Sequence, residues 1–410
     1  MICGKAECGL QYAVKRSSGA VGYCSLSIKC GTRDEAGYHI GIAHFAEHTI
    51  FKGTKGRSTA NINSCLDKLG GELNAYTTKE EIVLHSTVLK EDLHQAGSVL
   101  MDLATRPLFP ENEIETEKSV VIDEINSYKD SPGDDVYDRF EEAIFKGHPL
   151  GQPILGTADS VNSITCDELH RFVKEKFLPS RMAFSIVADI DEAKMEKEVL
   201  RLVKKYFGES KSQAPTSERI LSKPEPILFD QTIDKHNHEV NAVIGGIAPS
   251  LYEERERLAT VLMSNILGGP SANAILNDIL REKKGWVYGV ECSYTQYSDT
   301  GILAICLGCD KENLQKCFRT IDKALARLQN EPLSERKLKA AKKQLLGQLA
   351  ISSDNGETQC LSMGKSLLSF GRIASDEENK KKIESITAEE IQAIAKKIFS
   401  AENTSRLIFL

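Results

Sequence analysis

The sequence predicts an α+β protein of two homologous domains, each with a sheet packed against helices, and three observations carry that prediction. The first is an internal repeat: Ser163-Ile164-Thr165-Cys166-Asp167-Glu168 returns 222 residues later (385 − 163) as Ser385-Ile386-Thr387-Ala388-Glu389-Glu390. Both stretches read as capping boxes that open a helix, with Thr at the cap and Glu three residues on. The match continues through Lys174 with Lys396 and Phe177 with Phe399. Second, strand-like alternation precedes helical periodicity in both halves. Third, the stretch 209–226 is rich in Ser, Pro, Lys and Glu, the composition of a linker. The expected division is 1–208, a linker at 209–226, and 227–410.

In chain order, Tyr23 to Lys29 alternates as a strand and is followed by a helix around His44. From Glu111 to Tyr128 a helix is expected, with Ile114, Val121, Ile125 and Tyr128 as its apolar stripe. The helix opened by Thr165 feeds a strand from Met182 to Ala188. In the second half, Val240 to Ile247 alternates before a helix around Arg255 to Leu267, Gly301 to Leu307 reads as a strand, and the helix opened by Thr387 feeds Leu407 to Leu410.

The chemistry is concentrated in His44-Phe45-Ala46-Glu47-His48. On a helix, residues four apart share a face, so His44 and His48 present two imidazoles to one point. Zinc binds neutral imidazole, and Glu47 beside the second ligand can act on a water next to the metal. The order H-x-x-E-H is the reverse of the H-E-x-x-H metalloprotease helix and is the inverted-zincin signature. Ile42, Phe45, Ile50 and Phe51 surround these polar residues, which leaves the acid and both imidazoles in need of partners. A catalytic zinc takes three protein ligands, so a third is required. Glu117 and Glu124 fall along the apolar stripe of the Glu111 to Tyr128 helix, whereas Asp123 points about 100° away from Glu124. Glu124 is therefore the expected third ligand, and Glu117 is expected to hydrogen-bond a ligand imidazole and fix its tautomer.

With those residues placed, the chain resembles the M16 (pitrilysin) metallopeptidase family, and within it the processing-peptidase-like group of short two-domain subunits. The resemblance runs through Gly41-Ile-Ala-His-Phe-Ala-Glu-His-Thr-Ile-Phe-Lys-Gly-Thr, Gly70-Gly-Glu-Leu-Asn-Ala-Tyr-Thr, Glu117, Glu124, His148-Pro-Leu-Gly-Gln-Pro-Ile-Leu-Gly and Leu280-Arg-Glu-Lys-Lys-Gly-Trp-Val-Tyr. It implies two domains of mixed, mainly antiparallel sheet against helices that form half of a clam-shell. It implies one zinc per chain on His44, His48 and Glu124, with Glu47 as general base, and an endopeptidase that acts on short or unfolded peptides. Asn74 and Ala75 match an edge strand on which the substrate backbone adds as a further strand. Arg281 and Tyr288 match an Arg/Tyr pair that the family brings to the zinc from the opposing subunit, where Tyr288 would donate to the developing oxyanion. The expectation is a homodimer with composite sites. Trp286 departs from the smaller aliphatic residue expected there. The alternative reading is a noncatalytic assembly or binding subunit, or the catalytic subunit of a heterodimeric processing peptidase. After residue 226 no H-x-x-E-H occurs, and setting Ile114 against Leu338 puts Gln348 where Glu124 stands.

Composition narrows the remaining classes. At 410 residues, 41% hydrophobic and 27% charged, the chain can bury two cores. A net charge of -7 and the lack of a basic aromatic patch argue against nucleic-acid binding. With no membrane-spanning apolar run and no cleavable leader pattern, a cytoplasmic protein is expected. The 11 cysteines lack disulfide-domain spacing and read as reduced core residues. Cys306 and Cys309 should face opposite sides of a strand, which disfavours a shared site. His236 and His238 read as surface residues.

Overall fold

The computed structural model describes residues 1–208 and 221–410, so most of the expected linker, 209–220, lies outside the described residues. The fold is α+β and contains two sheets. The first holds β1 (Ile2–Lys5), β2 (Gln11–Arg16), β3 (Val21–Ile28), β4 (Glu72–Thr77), β5 (Ile82–Leu89) and β6 (Met182–Ala188), in the order β1-β2-β6-β3-β5-β4. Only β2 and β6 run parallel; the remaining neighbours are antiparallel. The second sheet holds β7 (Asp230–Ile233), β8 (Val240–Ala248), β9 (Val287–Gln296), β10 (Gly301–Cys309) and β11 (Ser405–Phe409), in the order β7-β11-β8-β10-β9. Here too a single pair, β7 with β11, is parallel.

The described residues form two compact units, and neither is a continuous half of the chain. The first combines Met1–Ile125, the stretch from Gln152 to the undescribed segment, and Ile351–Ile373. The second combines Asn126–Gly151, the stretch from that segment to Ala350, and Ala374–Leu410. This differs from the contiguous 1–208 and 227–410 division expected from sequence. The physical reason lies in the strands, whose two faces are both buried. In the first unit Cys24, Leu26, Ile28, Phe184 and Ile186 face the main core. The opposite face, with Ala13, Ala183 and Val187, is covered by Cys360, Met363 and Leu367 of the helix Gly356–Phe370. That helix comes very close: a Cβ on Gly364 would lie 2.5 Å from Ser27 Oγ and would displace that hydroxyl. In the second unit, Val136, Phe140 and Ile144 of the helix Pro132–Ile144 pack on Val243, Ile302, Leu407 and Phe409 in the same manner.

The repeat is visible in the caps as well. Thr387 accepts from the Glu390 amide, and the Glu390 carboxylate accepts from the Thr387 amide at 2.7 Å. Thr165 accepts from Glu168 N–H at 3.3 Å, but the Glu168 carboxylate bonds to the His39 amide and to His39 Nδ1 instead. The first expected capping box is therefore only half formed. Tyr128, expected on the apolar stripe, is exposed, while Ile114, Glu117, Val121 and Ile125 are buried. Cys309 joins the main core of the second unit and Cys306 packs against the cluster on the other face, as strand alternation requires. His236 and His238 are exposed. Among the described residues no helix is long and apolar enough to cross a membrane.

Candidate metal centre

The helix Ile42–Ile50 buries Ile42, Phe45, Ala46 and Ile50, which fixes its rotation and sends His44 and His48 to one side. Their ring centroids are 4.6 Å apart. Gly41 caps the helix at φ 89°, where a Cβ would meet Gly156 Cα and Leu155 O at 2.8 Å. Since glycine has no capping side chain, Glu35 supplies one from six residues upstream. Its carboxylate accepts from the amides of Gly41 and Ala43, both at 2.9 Å. Burial pushes the Glu35 carboxyl up to about 8, against the pull of those two amides.

The helix Glu111–Lys129 buries Ile114, Val121 and Ile125 and so carries Glu117 and Glu124 toward the histidines. Glu124 Oε2 lies 3.5 Å from His48 Nε2 and 3.7 Å from His44 Nε2. Those distances are too long for hydrogen bonds. They approach the separation of about 3.4 Å between ligand atoms around a tetrahedral zinc with bonds of about 2.0–2.1 Å. His44, His48 and Glu124 each offer one ligand atom within 4.8 Å of the others, a grouping found for these three among the described residues. Glu124 Oε2 and His44 Nδ1 are buried without any hydrogen-bond partner. Two imidazole nitrogens and one carboxylate oxygen match the preferences of zinc, and the orphaned acid oxygen is the mark of a cation-shaped gap. The residues fit the metal.

Electrostatics separate the two imidazoles. Burial, then the charge of His48, pushes His44 down and keeps it neutral. Burial opposes a charge on His48, but the hydrogen bond to Glu117 and the nearby Glu124 and Glu47 outweigh it and raise His48 to about 9. His48 chiefly, with His44, holds Glu124 below the usual carboxylate range. Glu117 is also lowered, since His48 and Lys52 overcome its burial. Its Oε1 is 2.9 Å from His48 Nδ1, so Nδ1–H donates and Nε2 is left to face Glu124. Glu47 is 8% exposed, and burial raises its carboxyl although Thr77 Oγ1 donates to Oε2 at 2.9 Å.

Thr77, Lys52 and Glu35 were not anticipated from sequence. Thr77 has a signal in strand phase, being two residues after Ala75 on β4 and on the same face. Asn74 and Ala75 pair with His85 and Leu84 of β5, and β4 ends the sheet with its other edge unpaired among the described residues. Arg281 and Tyr288 belong to the second unit. Both are exposed, and the Tyr288 hydroxyl donates to Asp310 Oδ1 at 2.7 Å. Trp286 packs partly buried against the second core, with the ammonium groups of Lys284 and Lys316 over its ring.

The family described as Insulinase (Peptidase family M16) matches residues 12–158, and Peptidase M16 inactive domain matches residues 163–345. The chain belongs to the M16 peptidase family. Among its relatives, a Bacillus subtilis (strain 168) protein described as the uncharacterized zinc protease YmxG is 30% identical over 93% of this chain and 91% of its own length. A Rickettsia bellii protein described as an uncharacterized zinc protease is 30% identical over 94% of this chain and 91% of its own. Two solved structures share the M16 fold. A protease from Helicobacter pylori has a TM-score of 0.88 at 19% identity, covering 100% of this chain and 98% of that one. A peptidase M16 inactive domain from Pseudomonas fluorescens has a TM-score of 0.86 at 18% identity, covering 100% and 97%.

Proposed function

We propose that this M16 chain is a zinc-dependent endopeptidase acting on short or unfolded peptides. The observation that carries the reading is the convergence of His44, His48 and Glu124 on one point with the buried Glu47 beside them. Relatives described as zinc proteases support the choice of metal and reaction class. His44, His48 and Glu124 would hold the ion, which supplies a Lewis acid that acidifies water and polarises a carbonyl. Glu47 takes the proton of the attacking water and passes it to the leaving amine. Its burial favours that role, because a carboxylate with raised proton affinity is the stronger base near neutral pH. Thr77 fixes the orientation of Glu47 through one oxygen and leaves the other for the proton. The free edge of β4, at Asn74 and Ala75, receives the substrate main chain, which makes binding tolerant of sequence.

The proposal extends to a homodimer in which Arg281 and Tyr288 serve the reaction, a step supported by family resemblance alone. Mixing His44→Ala and Arg281→Ala chains should then restore activity that neither has by itself. The central test is hydrolysis of a quenched unstructured peptide by the purified chain, with and without chelator. Chelator should abolish cleavage and zinc should restore it. A chain loaded with one zinc that cleaves no peptide would support the noncatalytic reading instead.

A further inference from the structure

We propose that Lys52 is a positioning residue for the zinc ligand His48, acting through Glu117; the inference rests on the zinc reading above. Lys52 follows the histidine helix directly and its amide donates to Thr49 O at 3.0 Å, which fixes where its side chain departs. Its Nζ is 2.5 Å from Glu117 Oε2, while the other oxygen of the same carboxylate is 2.9 Å from His48 Nδ1. One carboxylate is thus held at both oxygens, by a cation on one side and by the ligand ring on the other. With Oε2 tied to Lys52, the carboxylate plane is set, and Oε1 in turn sets the plane of the imidazole.

Charge accounting makes Lys52 necessary rather than incidental. The Glu117 side chain is 6% exposed and lies two turns from Glu124 on the same helix. A buried carboxylate near a second one needs a cation. The ammonium that meets Glu117 directly is that of Lys52. Without it, the acid that orients the ring loses the ammonium that holds its second oxygen. Lys52 itself is a quarter exposed, so its replacement leaves the core intact.

The test uses zinc affinity of the full chain, read by competition with a chromophoric chelator. Lys52→Met should weaken zinc binding by about ten- to a hundredfold, the range expected when a group supporting a metal ligand is removed, and Lys52→Arg should recover most of it. In a Glu117→Gln background the same Lys52→Met change should have little effect, because the route to His48 is already cut. A purely structural role would lower stability equally in both backgrounds and would not be relieved by Glu117→Gln. Wild-type affinity in Lys52→Met, or an undiminished loss in the Glu117→Gln background, overturns the proposal for Lys52 alone. Failure of the wild-type chain to bind zinc through His44, His48 and Glu124 overturns the metal reading and this one with it.

Discussion

In the first unit the helix Glu111–Lys129, nineteen residues long, carries Glu124 to two histidines; in the second the helix Glu335–Ser353, of the same length, carries Gln348 to Asn265. The sheets beneath them have the same strand order, β2-β6-β3-β5-β4 against β7-β11-β8-β10-β9, with β1 as the addition in the first. What differs is polar satisfaction. Gln348 accepts from Asn265 Nδ2 at 2.7 Å and donates to Ser271 Oγ at 3.1 Å, so the neutral cluster closes on itself. The charged cluster does not close: Glu124 Oε2, which faces the Nε2 atoms of both histidines, lacks a hydrogen-bond partner. A fold needs only the first kind of arrangement. The second kind makes sense when something binds.

The two units should differ most at the ligand positions. His44→Ala should reduce zinc content and peptide cleavage to background, while Gln348→Ala in the second unit should leave both near wild type; metal analysis of the two purified variants decides it. Next in size is the base. Glu47→Gln should keep one zinc per chain and lose about 10²–10⁴ in kcat, the usual worth of a general base, and a fully active variant would remove Glu47 from its role.

A smaller effect is the proton linked to metal. His48, raised to about 9, carries a proton at neutral pH in the metal-free protein and must release it to bind zinc. Affinity should therefore fall by about tenfold for each pH unit below that value, with close to one proton released per zinc. Calorimetry in buffers of different ionisation enthalpy reads that proton directly, and heats independent of buffer would contradict it. In the metal-free protein the same raised value means that the stabilising contribution of His48 is complete below about 6.5, its ordinary value, and is lost as pH rises through about 9. The second unit, with an uncharged cluster at this place, should add nothing to either slope.

The smallest effect separates the two repeated caps. Thr387→Ala removes a complete capping box and should cost its helix about 1 kcal/mol, while Thr165→Ala removes one bond of a half-formed box and should cost less. Hydrogen exchange at the first turns of Ala388–Ile398 and Cys166–Lys176 would rank them.

Where placement depended on spacing within one element, the sequence was enough. His44 and His48 share a face because they are four apart on a helix, and Glu117 and Glu124 follow because seven residues is nearly two turns. Strand alternation likewise placed Cys306 and Cys309 in different clusters. Periodicity describes one element at a time, however, and cannot say what covers its far side. Only the tertiary structure assigned the helices Pro132–Ile144 and Gly356–Phe370 to their sheets, diverted Glu168 from its cap to His39, and brought Glu35, Lys52 and Thr77 to the histidine helix. Glu35 and Thr77 meet that helix through contacts between segments joined by turns and loops, and Lys52, just past its end, finds its partner on a helix some sixty-five residues on (117 − 52). Such meetings are fixed by packing and by the need of buried polar groups for partners, quantities that exist only once the chain has folded.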